Sequence, residues 1–138
     1  MTTAPSPPDW QPVPCGADFT AAAGPMRMAR IAGGLIFQVR IGAQHCNLLD
    51  VCHGGMIATF VDQAMGMAVV ERLADPALGA ATISLNVDYL AAARRDDVLE
   101  TTPAILRIGR AVGYCETRVA GPRGLVARAS GTFRLPGG

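Results

Sequence analysis

Residues 55–72, GMIATFVDQAMGMAVVER, put apolar side chains on nearly every face of a stretch eighteen residues long. As a helix it would run about 27 Å, and a helix that is apolar all round is a buried one. Whatever else the chain contains must therefore wrap around it. The chain has 138 residues, which fits a single domain. Half of them are apolar and 17% are charged, against roughly 25% charged in an ordinary soluble domain. Mean hydropathy is +0.28, yet Asp or Arg interrupts every apolar run before the ~18 residues that a membrane span needs. A core of this size leaves about a third of the unfolded chain's surface exposed. A charge-poor exterior thus points to a subunit interface, an apolar ligand, or both.

The net charge of +1 excludes the broad basic field that sequence-independent nucleic-acid binding requires, and it excludes an acidic solvating tail. The opening residues, MTTAPSPPDW, have no basic or apolar signal region, so no secretory signal is expected. Cys15, Cys46, Cys52 and Cys115 form no CxxC pair, which fits free thiols in a reducing, cytoplasmic setting. All twelve basic residues are Arg, so no single Arg can be read as a bidentate anion binder chosen over Lys.

Along the chain, residues 1–14 carry five prolines and read as an extended arm. A short helical turn is expected over 18–23, stopped by Gly24-Pro25. MRMARI and LIFQVRI, separated by Ala32-Gly33-Gly34, read as a hairpin. A loop follows, ending in His53-Gly54-Gly55 at the start of the long helix. Beyond the helix, TISLNVDYL alternates, with Ile83, Leu85, Val87 and Tyr89 on one face and Thr82, Ser84, Asn86 and Asp88 on the other. VLETTPAILRI, VGYCETRVA and LVARASGTFRL continue the pattern, and Pro103 predicts an edge position or a bulge. No internal repeat is visible. A hairpin, one buried helix and three or four antiparallel strands make an α+β layout.

Three polar residues, Thr59, Asp62 and Gln63, interrupt the helix. Asp62 is the informative one, because a carboxylate seldom goes inside without a partner; the plain alternative is a single wet stripe with Asp62 on it. Gly54 and Gly55 at the helix start would let a ligand approach unpaired N–H groups that stabilise developing negative charge, or would merely supply permissive backbone angles. Zinc held by His45, Cys46, Cys52 and His53 is a poor fit, since two adjacent residues at each end converge badly on one tetrahedral ion. No GxSxG occurs, and Cys52 beside His53 in sequence does not make a hydrogen-bonded pair. Gly54 and Asp62 lie eight positions apart, about 12 Å along a helix, while an oxyanion donor and a reacting carboxylate must both come within ~3 Å of the reacting group. Two such helices packed antiparallel about a two-fold axis would bring Gly54 of one copy opposite Asp62 of the other.

The segment HCNLLDVCHGGMIATFVDQAMG resembles the HxNxxGxxHGGxxxxLxD signature of the PaaI-like acyl-CoA thioesterases, and the similarity continues through ISLNVDYL, RRDDVLE, IGR and VARASGTFR, over roughly residues 25–135. That resemblance implies the hotdog fold, in which a long central helix is wrapped by an antiparallel sheet, here as one domain over residues 15–138 after the arm of 1–14. It implies homodimers that often pair into homotetramers, with the site at the dimer interface. It further implies an acyl-CoA substrate, and neither metal, cofactor, nucleic acid nor membrane as partner. Carried over by position, the catalytic carboxylate is Asp62, as nucleophile or as base for water, and the oxyanion amide is Gly54. Asn47 positions the water or thioester, and His53 is the motif histidine. Thr82 supplies a hydroxyl that orients the water from the opposite subunit. Gly55 and Arg110 fall on the substrate side, Arg110 toward the nucleotide end of coenzyme A. Ordinary roles compete for two of these: a loop Asn that bonds its own backbone, and a plain strand residue at Thr82.

Two positions depart from the pattern. Asp50 stands where the motif has Gly, which predicts a different turn, and Gly66 replaces a hydroxyl that some members carry one turn after the Asp. The expected activity is hydrolysis of an acyl- or aryl-CoA to the free acid and coenzyme A. A hotdog hydratase or dehydratase acting on an enoyl thioester is the alternative enzyme. A non-catalytic acyl-CoA-binding protein is the alternative outside catalysis, although fourteen proline-rich residues cannot form a DNA-reading helix-turn-helix.

Overall fold

The computed structural model describes residues 3–137. Among these residues, eight antiparallel strands and two α-helices follow one another as β1 (Gln11–Pro12), α1 (Phe19–Ala23), β2 (Met26–Ile31), β3 (Gly34–Arg40), α2 (Gly54–Val70), β4 (Ala81–Tyr89), β5 (Val98–Thr101), β6 (Ala104–Ile108), β7 (Val112–Gly121) and β8 (Gly124–Arg134), with single 3-10 turns at Ala43–His45 and Pro76–Leu78. The sheet order is β1-β2-β3-β5-β7-β8-β4, with β6 also paired to β7. The sheet curls around α2, the α+β arrangement expected of the chain. Of the proline-rich arm, residues 1 and 2 lie outside the described residues. Gln11 and Pro12 pair with Met28 and Arg27 at the free edge of β2, and Trp10 stacks under the Arg27 guanidinium at 4.7 Å.

α2 is held by what it buries. Met56, Ile57, Phe60, Val61, Ala64, Met65, Ala68 and Val69 are buried, against a sheet face that presents Phe37, Leu99, Val119 and Phe133. Each large side chain removed from water contributes about 1.5–3 kcal/mol, which fixes the helix to the sheet without help from any charge. The helix starts one residue earlier than expected and stops at Val70 rather than at 72, because Glu71 already serves as its C-cap. Its remaining face is a half-buried stripe running through Thr59, Asp62, Gln63, Gly66 and Val70. α1, capped by Asp18, lies against this side through the Thr20 hydroxyl, which donates to Gln63 Oε1 at 3.2 Å.

Two strand readings need correction. VLETTPAILRI is two strands rather than one, so five strands follow the helix. Pro103 cannot donate to a ladder, and the chain leaves the sheet at Thr102-Pro103 before pairing with β7 again. In β4, the register against β8 shifts between Thr82 and Ser84. This bulge at Ile83 takes Thr82 off the face it was expected to share with Ser84, Asn86 and Asp88. Thr82 pairs with buried Phe133 and turns toward α2, while Ser84 pairs with Thr132 on the outer face, where their hydroxyls meet at 2.7 Å. An extra residue in one strand re-aims the side chains before it.

β4 is also an edge. Among the described residues it pairs with β8 alone, and Ile83, Tyr89 and Leu90 are each more than half exposed. A nine-residue edge with apolar side chains is a ready template for another strand.

Candidate active site

The site begins at the N-terminus of α2. His53 leaves the loop in extended conformation (φ −60°, ψ 136°), and its ring Nδ1 accepts the Gly55 N–H at 2.8 Å. An imidazole nitrogen that accepts is unprotonated, so the ring proton sits on Nε2. Met56 and Ile57 donate to the His53 carbonyl. The Gly54 N–H, among the described residues, donates to nothing. Of the amides at the helix start it is the free one, lying where the helix dipole adds positive potential.

Neither Gly54 nor Gly55 has a positive φ, so permissive backbone angles do not explain the pair. Close approach does. A Cβ on Gly54 would sit 3.3–3.4 Å from the Tyr89 ring, and one on Gly55 would sit 3.0–3.2 Å from the His53 ring. The Tyr89 hydroxyl donates to the Gly54 carbonyl at 2.6 Å. Sequence reasoning gave Tyr89 no part in the site. Its position on the apolar face of an alternating strand was the available signal, but the contact spans 35 residues of chain and no local pattern encodes it.

Two turns along α2, Asp62 is half-buried on the stripe that the sheet leaves open. Thr82 Oγ1 donates to Asp62 Oδ1 at 2.7 Å, within one chain, so the hydroxyl and the carboxylate travel together. Gly54 with Tyr89 and Asp62 with Thr82 form two separate pairs along the helix, about 12 Å apart along its axis.

The loop before α2 folds back as a tight hairpin. Cys46 pairs with Cys52, His53 N–H donates to His45 O at 2.8 Å, and Asn47 N–H donates to Val51 O at 2.9 Å. Asn47 Oδ1 accepts the Leu49 N–H at 2.9 Å, the ordinary loop role weighed above, which leaves its amide nitrogen as the group able to face a substrate. Asp50 adopts φ 59°, the left-handed conformation that Asp tolerates better than most residues. The loop therefore makes the turn a glycine would make, and its carboxylate is held by Arg95 at 2.7 Å.

Cys52 is buried, and burial pushes its thiol up to about 12. With the His53 ring committed to Gly55, these two residues form no nucleophile and base pair. A Cβ on Gly66 would meet the Phe133 ring at 3.5 Å, an ordinary contact, so packing within the chain does not demand glycine there. Arg110 lies in the exposed turn between β6 and β7. That hairpin reaches the C-terminal end of α2, where Gly113 packs on Val69, far from Gly54. A concavity of about 580 Å³ among Glu100, Glu116, Arg118 and Arg128 contains none of the residues of either pair.

The thioesterase superfamily profile matches residues 49–126. A Pseudomonas aeruginosa protein named "Putative esterase PA0474" is 32% identical over 102 residues, covering 74% of this chain and 75% of its own length. Mouse acyl-coenzyme A thioesterase 13 is 30% identical over 82 residues, 58% of this chain and 56% of that protein. The crystal structure of zebrafish thioesterase superfamily member 2 superposes with a TM-score of 0.77 at 23% identity, over 87% of this chain and 88% of that one. The likeness extends over the sheet and the central helix alike.

Proposed function

The chain belongs to the thioesterase superfamily and is a thioester hydrolase, and from that premise we propose that it hydrolyses an acyl-coenzyme A at a site built from two copies of the chain. The observation that carries this reading is the placement of two complementary groups on one helix. A free oxyanion-type amide at Gly54 and a hydroxyl-bonded carboxylate at Asp62 are both available, yet too far apart to serve one thioester. Antiparallel pairing of two α2 helices about a two-fold axis brings Gly54 of one copy to Asp62 of a second copy and makes two equivalent sites. The open edge of β4 gives that second copy a strand to pair with.

In such a site the Gly54 N–H hydrogen-bonds the thioester carbonyl oxygen and stabilises the negative charge that develops on it. Asp62 of the second copy either takes a proton from water as that water attacks the carbonyl carbon, or attacks the carbon itself. The carbon–sulfur bond then breaks and the thiolate leaves, protonated by the proton Asp62 took from water. Where Asp62 itself attacked, water next hydrolyses the acyl–Asp62 anhydride, releasing the acid, restoring the carboxylate and supplying the proton to coenzyme A. Thr82 holds the Asp62 carboxylate in one rotamer. Asn47 Nδ2 faces the thioester from the loop, and His53 and Gly55 hold the first turn so that the Gly54 amide stays exposed. Arg110, at the far end of α2 in its own chain, approaches the Gly54 end of the other chain in an antiparallel pair, where it meets the nucleotide phosphates. A cytoplasmic location belongs to this reading and is supported by the unpaired cysteines; among the described residues no helix is long and apolar enough to cross a membrane.

The test is a thiol-release assay across aliphatic and aromatic acyl-CoA thioesters, run on the wild-type chain and on Asp62→Asn. Release by the wild type and its loss in the variant, with the oligomer intact, support the reading. Full activity in Asp62→Asn contradicts it.

A further inference from the structure

We propose that Tyr89 is a positioning residue for thioester hydrolysis, bracing Gly54 from its carbonyl side so that the Gly54 N–H is held at the angle the reaction needs. The inference rests on the reading of Gly54 as the oxyanion donor. Glycine at the first helical position is a weakness in that design, because without a Cβ its backbone samples many conformations, and a donor that wanders costs reorganisation at the moment charge develops. The Gly54 N–H has no acceptor to restrain it. Its own peptide is held from the N-terminal side, where the His53 carbonyl accepts from the Met56 and Ile57 N–H groups. The next peptide is held at both its polar groups, the Gly55 N–H by the His53 ring and the Gly54 carbonyl by Tyr89, and Gly54 is caught between two fixed peptides.

Two contacts made by one side chain support the assignment. The Tyr89 hydroxyl donates to the Gly54 carbonyl at 2.6 Å, and the ring lies so close that a Cβ on Gly54 would be 3.3–3.4 Å from it. The hydrogen bond sets the rotation of the Gly54–Gly55 peptide, and the ring against Gly54 limits how the residue can turn relative to it. Tyr89 is itself held by the sheet, paired with Ala127 at the end of β4 and followed by the Leu90 N–H bond to Val126 O at 2.8 Å. The donor thereby inherits the rigidity of β4 and β8 rather than the mobility of a loop. Because Tyr89 and Thr82 stand on the same strand, β4 steadies the amide at one end and the carboxylate at the other.

Tyr89→Phe keeps the ring and removes only the hydroxyl. The expected result is a fall in kcat of about tenfold with KM within about twofold, the pattern of an interaction that matters in the transition state rather than in substrate binding. The melting temperature and the oligomer mass should stay at the wild-type values. An acyl dithioester, whose developing charge sits on a larger sulfur that takes weaker hydrogen bonds, should show a gap between variant and wild type of less than about threefold. A kcat within twofold of wild type on the ordinary thioester overturns the assignment, as does a loss that falls entirely on KM. Gly54→Pro separates this from the reading beneath it. Proline suits the first helical position but lacks the N–H, and its Cβ meets the Tyr89 ring at 3.3–3.4 Å. With circular dichroism and oligomer mass at wild-type values, an inactive Gly54→Pro beside an active Tyr89→Phe means that only the role of Tyr89 fails. If Gly54→Pro keeps full activity, the oxyanion reading fails and takes Tyr89 with it.

Discussion

Thr82 Oγ1 donates to Asp62 Oδ1 across 2.7 Å, and it reaches that carboxylate because β4 bulges at Ile83. Without the extra residue, Thr82 would point to the outer face with Ser84. A bulge placed so as to turn one hydroxyl onto one carboxylate ties the strand's irregularity to the chemistry of the helix. Thr82→Val preserves shape and removes the donor. The expected outcome is a kcat lower by roughly tenfold, the worth of one hydrogen bond to a charged group, with KM close to wild type. Steady-state kinetics on an acyl-CoA substrate check this, and an unchanged kcat would make the contact incidental.

The exposed edge of β4 predicts a dimer that fails when the edge is charged. Ile83 is 56% exposed at the bulge, and Ile83→Arg would put a positive charge into a strand-to-strand contact at each of two symmetric positions, where desolvation opposes it. Light scattering should give about twice the 14.3 kDa chain mass, or a higher multiple, for the wild type. The variant should give the single-chain mass and lose thiol release together with the dimer. A monomeric variant with full activity would contradict the shared site.

A third test concerns stability against pH. Asp97 is buried in the turn before β5, where its carboxylate accepts from Arg123 at 2.5 and 3.2 Å and from the Arg94 N–H at 2.8 Å. The Arg123 guanidinium holds the Asp97 carboxyl below the usual carboxylate range, against the opposing effect of burial. The folded chain then binds this proton less readily than the unfolded one. The resulting stabilisation is fully present above the ordinary value of 3.8 and is lost as pH falls through the lower, folded value. Asp97→Asn should lower the melting temperature at pH 7 by roughly 3–8 °C. It should also flatten the wild-type decline below about pH 4. Thermal melts between pH 2.5 and 7 decide it, and parallel curves for the two proteins would remove Asp97 from the account.

Much of this molecule was legible because its signals are local. The apolar run of α2, its glycine start and the alternating strands are short-range patterns set by helix and strand periods, and the spacing between Gly54 and Asp62 is counted directly along the chain. The substitution at Asp50 was also readable, but its outcome was not. Only the backbone shows that Asp accepts the left-handed turn, with Arg95 brought in from 45 residues away to hold it. The face of Thr82 was misread because strict alternation cannot register a bulge. The run through Pro103 was joined where proline divides it. Tyr89 was missed for another reason. In sequence it is one apolar strand position among several, and its meaning lies in a contact with a helix start that only the folded chain creates.

The central claim is that Gly54 and Asp62 act across a subunit boundary, and mixing two inactive chains tests it most directly. Asp62→Asn lacks the carboxylate and Gly54→Pro lacks the amide, so each homodimer should release no thiol. In a heterodimer, the intact Gly54 of one chain faces the intact Asp62 of the other, restoring one of the two sites. Co-expression with random pairing should therefore recover about one quarter of wild-type activity. No recovery above the two separate variants, with heterodimers demonstrated by differential tagging, would mean that amide and carboxylate belong to the same chain.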